Sequence, residues 1–233
     1  MSYFFFNNNI DKTKIKIIFE LGSRDLLDAK KLINHYDNAT CYSFECNPDC
    51  LIECEKNKKN FNSYENERII LVKNAVSVDN KKILFKPFDL SIYNNMGASS
   101  LLEIDFSKRD KNDPDYNIGK VQKEITVDGI RLDTFIENNN IPNIDLLCID
   151  LQGYELEAIK SLGEKIKKVK YIITECSIIS TYKNGANFHE LNDYLKKNGF
   201  YYNNSNRFGN NFPDLQMKGF SEFDSLFINN FIF

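Results

Sequence analysis

Short apolar runs alternate with helix-patterned segments along nearly the whole chain, and no other feature limits its fold as strongly. The runs at 15–19, 40–45, 69–76, 144–150 and 169–175 are each only a few residues long and rich in β-branched and aromatic residues, as buried strands are. Between them the apolar spacing changes to that of helices. Leu26, Ala29, Ile33 and Tyr36 recur at helical intervals, and Pro48 is placed to open a helix directly after Asn47. Further helices are predicted around 132–137, from 154 to 162, and over 188–197, where an amphipathic stretch stops at Gly199. Residues 201–202 and 225–229 read as a closing antiparallel pair. The expectation is an α/β fold: a mostly parallel seven-stranded sheet, its final strand antiparallel, with helices on both faces. A length of 233 residues suits one such domain spanning 1–233.

Two segments break the alternation. Residues 86–123 contain strand-like pieces such as 100–104 but also the run KRDKNDPDYNIG, and 203–219 form an Asn- and Gly-rich connection. Loops of this length inside a compact domain tend to be functional, so both are expected on the substrate side.

A net charge of −3 supplies no general attraction to nucleic acid or to anionic membrane. No apolar run approaches the ~20 residues of a membrane span, and the opening MSYFFFNNNI is not a signal peptide, so a cytoplasmic protein is expected. Six cysteines then read as free thiols. Cys46, Cys50 and Cys54 would share one helix face, but both histidines lie far from them in sequence, which leaves a tetrahedral metal site incomplete.

Chemistry is expected at the carboxyl ends of the strands, where open parallel sheets bind ligands. The first strand ends in Glu20-Leu21-Gly22-Ser23-Arg24-Asp25. Its glycine would let a ligand approach the backbone, and the following helix would offer free N–H groups. The second strand ends at Glu45, followed by Cys46 and Asn47. A carboxylate there can accept hydrogen bonds from both ribose hydroxyls of a nucleoside cofactor. The three glycines that cradle a dinucleotide pyrophosphate are missing, which favours a nucleoside without phosphate such as S-adenosylmethionine.

The segments ELGSRD at 20–25, FECNP at 44–48, NAVS at 74–77, RLDTFIEN at 131–138, DLLCIDLQGYELEAIKSLG at 145–163, TECS at 174–177 and FDSLFIN at 223–229 resemble the FkbM-type methyltransferases in kind and order. The resemblance covers nearly the whole chain and implies a Rossmann-like, S-adenosylmethionine-dependent O-methyltransferase acting on a hydroxyl of a sugar or glycan precursor. It implies that Glu20, Gly22, Ser23 and Arg24 form the cofactor turn, with Glu45, Cys46 and Asn47 at the ribose and Ala75 and Val76 at the adenine. Residues 96–100 resemble the small-residue stretch before the family's variable region. Two positions depart from the common pattern. Arg24-Asp25 stands where a second glycine is usual, and Gln152 where Glu is usual; an amide there can orient a ligand but cannot act as a base.

An alcohol is a poor nucleophile until its proton is removed. Asp150 and Glu175, at neighbouring strand ends, are the candidates for that task, acting directly or by holding Mg²⁺. The pair is compatible with a divalent metal and does not demand one. Asp150 could alternatively cap the following helix, and Glu155 reads as a cap or surface residue as readily as a functional one. His189 and His35 read as structural. Two other readings are carried: a cofactor-binding partner subunit without activity, and a nucleic-acid methyltransferase, which the acidic balance disfavours. The composition is also compatible with a homo-oligomer.

Overall fold

A computed structural model describes residues 3–92, 95–108, 122–213 and 222–231. Its centre is the strand β7, Ile144–Ile149, in which every residue is buried. This follows from an apolar run flanked on both sides by parallel strands and covered on both faces. Its neighbours are β1, Ile17–Leu21, and β8, Val169–Ser177. Outward from β1 lie β2, Thr40–Phe44, and β3, Ile69–Val72. Outward from β8 lie β10, Glu222–Asn229, and then β9, Phe200–Ser205. The seven-stranded order is β3-β2-β1-β7-β8-β10-β9, and β10 runs antiparallel to both of its neighbours. The antiparallel strand is therefore the last in sequence but sits second from the edge.

Side-chain alternation sorts the strands' residues onto two cores. One contains Phe19, Leu21, Leu147, Ile149 and Ile172 beneath α4, Leu132–Asn138, α5, Glu155–Lys160, and α6, Phe188–Lys197. The other contains Ile18, Leu146, Cys148 and Ile173 beneath α1, Leu27–His35, together with Tyr3 and Phe6 of a short 3-10 helix, Tyr3–Asn9. No helix among the described residues is long and apolar enough to cross a membrane.

The run at 69–76 is not one strand. After Val72 the chain leaves the main sheet, and β4, Ala75–Val76, pairs in parallel with β6, Ile125–Ile130. β5, Lys82–Phe85, joins β6 from the other side, making a separate three-stranded sheet. Ala75, Phe85 and Val127 bury a small core there, with Cys46 and Leu101 packed against it. The strand-like piece at 100–104 makes only isolated bridges, at Ser100 and Ile104. The helices α2, Pro48–Lys58, and α3, Ser63–Arg68, fill the β2–β3 crossover. α3 has a capping box, Asn62 with Glu65, too brief to register as a periodic pattern. Of the two expected substrate-side loops, 109–121 and 214–219 lie outside the described residues.

The chain winds outward from β1 to β3 and then returns to β7 on the other side of β1. The switch point therefore falls between the carboxyl ends of β1 and β7. There the Asp150 N–H donates to the Leu21 carbonyl at 2.9 Å, and Gly22 has φ +87°. A Cβ on Gly22 would stand 1.9 Å from the Asp150 carbonyl oxygen. Gly209 also has positive φ, +58°, but open space around it. Gly22→Ala should therefore destabilise the protein by about 3 kcal/mol or more, and Gly209→Ala by about 1 kcal/mol, the left-handed penalty alone. Urea denaturation of both variants checks this, and equal losses would mean the close approach is not a constraint.

Candidate active site

The turn after β1 is folded onto the end of β2. The N–H groups of Gly22 and Ser23 both donate to the Phe44 carbonyl at 3.0 Å, and the Arg24 N–H donates to Glu45 Oε2 at 2.8 Å. Arg24 reaches this position with φ 57°, a left-handed conformation that a glycine would adopt at no cost. The free N–H groups expected at this turn are thus turned inward. Glu45 also accepts from the N–H groups of Cys46 and Asn47 through Oε1, both at 2.8 Å. Burial pushes its carboxyl up, and these backbone donors pull it back down. The carboxylate is fixed before any ligand arrives.

Glu45 lines a cleft of about 180 Å³, measured at the centre of a water-sized sphere. Its apolar lining comes from Phe44 and Val76 and from the small core of Ala75, Phe85 and Leu101, and its polar lining includes Ser23, Arg24, Asp28, Asp150 and Tyr3 as well as Asn47, Asn74, Ser99 and Ser100. Asn47 caps α2 by accepting from the Asp49 N–H and donates from Nδ2 to Ser99 Oγ at 3.3 Å, which ties the turn after β2 to residues 96–100. The thiols of Cys46 and Cys50 face the cleft, whereas the Cys54 thiol contacts the Arg24 carbonyl at 3.5 Å. Among the described residues no three His, Cys, Asp or Glu side chains are grouped to hold a metal ion.

Of the residues expected at the site, Gly22, Ser23, Arg24, Glu45, Cys46, Asn47, Ala75, Val76 and Asp150 line this cleft together. Glu20, Gln152 and Glu175 do not line it. Glu20 alternates onto the face with Ile18 and is 1% exposed, and its Oε2 has no hydrogen-bond partner. Burial without a counter-charge raises its carboxyl to about 8, so it is neutral at neutral pH. Phe85, Leu101, Asp28 and Tyr3 were not expected. Phe85 and Leu101 enter from a second sheet that the strand pattern does not announce. Asp28, in the first turn of α1, could have been found from helix geometry. Tyr3 lies more than a hundred residues from Asp150 in sequence, and no local pattern connects them.

Asp150 and Glu175 are joined by the residue between their strands. Gln152, at φ 53°, donates from Nε2 to Asp150 Oδ1 at 2.8 Å and to Glu175 Oε2 at 3.1 Å. Its carbonyl oxygen is 3.0 Å from the Tyr182 hydroxyl, which is also 3.0 Å from the Ala98 carbonyl. With both amide hydrogens and its carbonyl engaged, Gln152 holds the two carboxyls rather than facing the cleft. Glu175 instead borders a separate space of about 10 Å³ beside Tyr182 and Glu222, room for about one water. Burial and the neighbouring Asp150 charge raise the Glu175 carboxyl to about 10. Burial also raises Asp150, while the Gln152 amide lowers it. Asp150 makes no helix cap. Nor does any side chain cap α5; Glu155, its first residue, instead accepts from the N–H groups of Leu151 and Gly153 in the preceding turn at 3.0 Å each, with its carboxyl raised by burial to about 7. His189 opens α6 against Phe188 and Phe212 and lies outside the cleft, and His35 packs on Phe4 and Tyr36.

Comparison with known proteins matches the Methyltransferase FkbM domain over residues 26–202. The curated 2-O-methyltransferase NoeI of Sinorhizobium fredii is 26% identical over 183 residues, covering 77% of this chain and 70% of that protein. Among solved structures, the methyltransferase FkbM from Methylobacillus flagellatus superposes with a TM-score of 0.53 at 12% identity, over 92% of this chain. This chain spans 43% of that one's length. TrmK of M. capricolum, solved with S-adenosyl-homocysteine, superposes with a TM-score of 0.50 at 12% identity, over 99% of this chain and 69% of that one. These two superpositions establish a shared methyltransferase fold.

The raised Glu20 carboxyl sets a pH dependence. The folded protein retains that proton up to about 8, whereas the unfolded chain releases it near the ordinary 4.5. The folded state therefore binds more protons between these values, and this group's contribution to stability is lost as pH rises through that window. Glu20→Gln removes the slope. Its melting temperature relative to the parent protein should climb from about pH 5 to about pH 8.5. A constant difference across that range would place Glu20 in contact with water or a cation.

Proposed function

The chain belongs to the FkbM methyltransferase family, and from that premise we propose that it transfers the methyl group of S-adenosylmethionine to a hydroxyl of a sugar or glycan precursor. The observation that carries the cofactor reading is Glu45, a carboxylate pre-fixed by three backbone N–H groups in a cleft lined by both apolar and polar groups. Such a site suits the ribose of a molecule that also carries a nucleobase and a zwitterion. Glu45 would accept from the ribose hydroxyls, and Ala75, Val76 and Phe85 would flank the adenine. The Ser23 hydroxyl is buried at the cleft beside the Glu20 carboxyl, whose proton affinity it lowers, and meets no partner in good hydrogen-bond geometry, so it can serve a ligand. An oxygen acceptor is supported by the relative, which is by name a 2-O-methyltransferase.

When bound, S-adenosylmethionine supplies an electrophilic methyl group on a sulfonium. The protein's tasks are to align the acceptor oxygen and to take its proton. Asp150 suits the second task because it faces the cleft, and burial shifts its carboxyl toward the range of an effective base. Glu175 does not suit it, being protonated and outside the cleft. Its role here is to share the Gln152 amide and so hold Asp150 in one orientation.

Calorimetric titration with S-adenosylmethionine tests the cofactor reading, and absence of binding at millimolar cofactor would end it. For the chemistry, Asp150→Asn should lower kcat by about 100-fold or more with unchanged cofactor affinity. Glu175→Gln should retain turnover within about threefold, because it replaces a neutral acid by a neutral amide. The reverse ranking would make Glu175 the base. Methyl-donor consumption with a panel of sugars and nucleotide sugars tests the acceptor class, and turnover on none of them would remove the sugar assignment.

A further inference from the structure

Beside the turn after β1 the polar lining of the cleft is built from side chains, because the backbone donors there are already used. The N–H groups of Gly22, Ser23 and Arg24 point to Phe44 and Glu45. Those of Asp25 and Leu26 return to the Ser23 carbonyl, and that of Leu27 goes to Asp25 Oδ1. A ligand reaching this lining therefore meets the Ser23 hydroxyl, the Arg24 guanidinium, the Asp28 carboxylate and the Tyr3 phenol. Tyr3 comes from a separate piece of chain. The 3-10 helix Tyr3–Asn9 is anchored by Phe6, with Ile10 and α1, on the same face of the sheet as Glu20. The family match begins at residue 26, so this wall lies outside the matched region.

We propose that Tyr3 is a cofactor-binding residue whose phenol lines the cleft and hydrogen-bonds the amino-acid end of S-adenosylmethionine. The inference rests on the cofactor reading above. Charge complementarity assigns the partner. An amino acid presents an ammonium and a carboxylate together; Asp28, shared with Lys31 at 2.7 Å, matches the first, and Arg24, shared with Asp25 at 3.1 Å, matches the second together with Ser23. Phe44, Val76, Phe85 and Leu101, which also line the cleft, offer a zwitterion no charge. Tyr3 is 3% exposed, and burial, with the neighbouring Asp150 and Asp28 carboxylates, raises its phenol well above the ordinary range, so it stays protonated and able to donate.

The probes are S-adenosylhomocysteine and 5′-methylthioadenosine, which share the nucleoside and differ by the amino-acid chain. Tyr3→Phe keeps the ring that packs beside Phe6 and removes only the hydroxyl. Calorimetry should show S-adenosylhomocysteine binding about three- to tenfold more weakly in this variant, with 5′-methylthioadenosine changed by less than about twofold. Ser23→Ala should show the same selectivity. Equal weakening of both probes, or of neither, by Tyr3→Phe would overturn the assignment. Failure of the unaltered protein to bind S-adenosylhomocysteine would overturn the cofactor reading itself, a result visible before any variant is made.

Discussion

The contact between the Gly22 backbone and the Asp150 carbonyl is the constraint on which the site depends. It lets the ends of β1 and β7 meet without a side chain between them. The cofactor turn and the candidate base are then placed by one sheet rather than by two mobile loops. Positions held by strands are fixed more tightly than positions on loops, and methyl transfer depends on alignment more than on covalent assistance. The same contact explains why the turn folds inward. Once Gly22 lies against β7, its N–H and that of Ser23 are directed at Phe44 on the other side.

Glu45 extends this rigidity to β2. Its carboxylate spends its bonding on three backbone N–H groups, which joins the turn after β1 to the start of α2. Burial raises this carboxyl, and the three neutral donors offset part of that rise without a cation beside it. Arg24 is thereby released from any duty toward Glu45 and pairs at the surface with Asp25 at 3.1 Å. The position that departs from a glycine-rich turn thus adds a cationic side chain at the cleft and retains the left-handed backbone a glycine would have supplied.

The parts of this architecture that were legible in the sequence are those encoded by local pattern. The buried run at 144–149 declares a central strand because nothing but a two-sided burial tolerates six consecutive buried residues. Gly22 and Glu45 could be paired because strand ends in a parallel sheet share one edge. What local pattern could not encode was the division of 69–76: the polar pair Lys73-Asn74 interrupts the run, but nothing local says that Ala75 and Val76 pair in a different sheet. Nor could it place Phe85, Leu101 and Tyr3, whose roles arise only from contacts between distant segments. Gln152 was legible as a non-base, but its contacts with Asp150, Glu175 and Tyr182 depend on a left-handed backbone at a non-glycine residue.

That conformation bears on why an amide stands at 152. Asp150 and Glu175 present two acceptors to one side chain, and only a group with two N–H bonds can donate to both at once. A glutamate in the same place could donate to neither while ionised and would place a third carboxyl beside two already raised by burial. Relief would require a proton or a cation, and among the described residues no group of three metal-ligating side chains assembles here. The amide resolves the crowding with neutral chemistry. One carboxyl keeps its proton, the other keeps its orientation toward the cleft, and both share a donor that cannot itself be titrated. On the proposed reading, a site arranged in this way leaves Asp150 as the group to take the acceptor's proton.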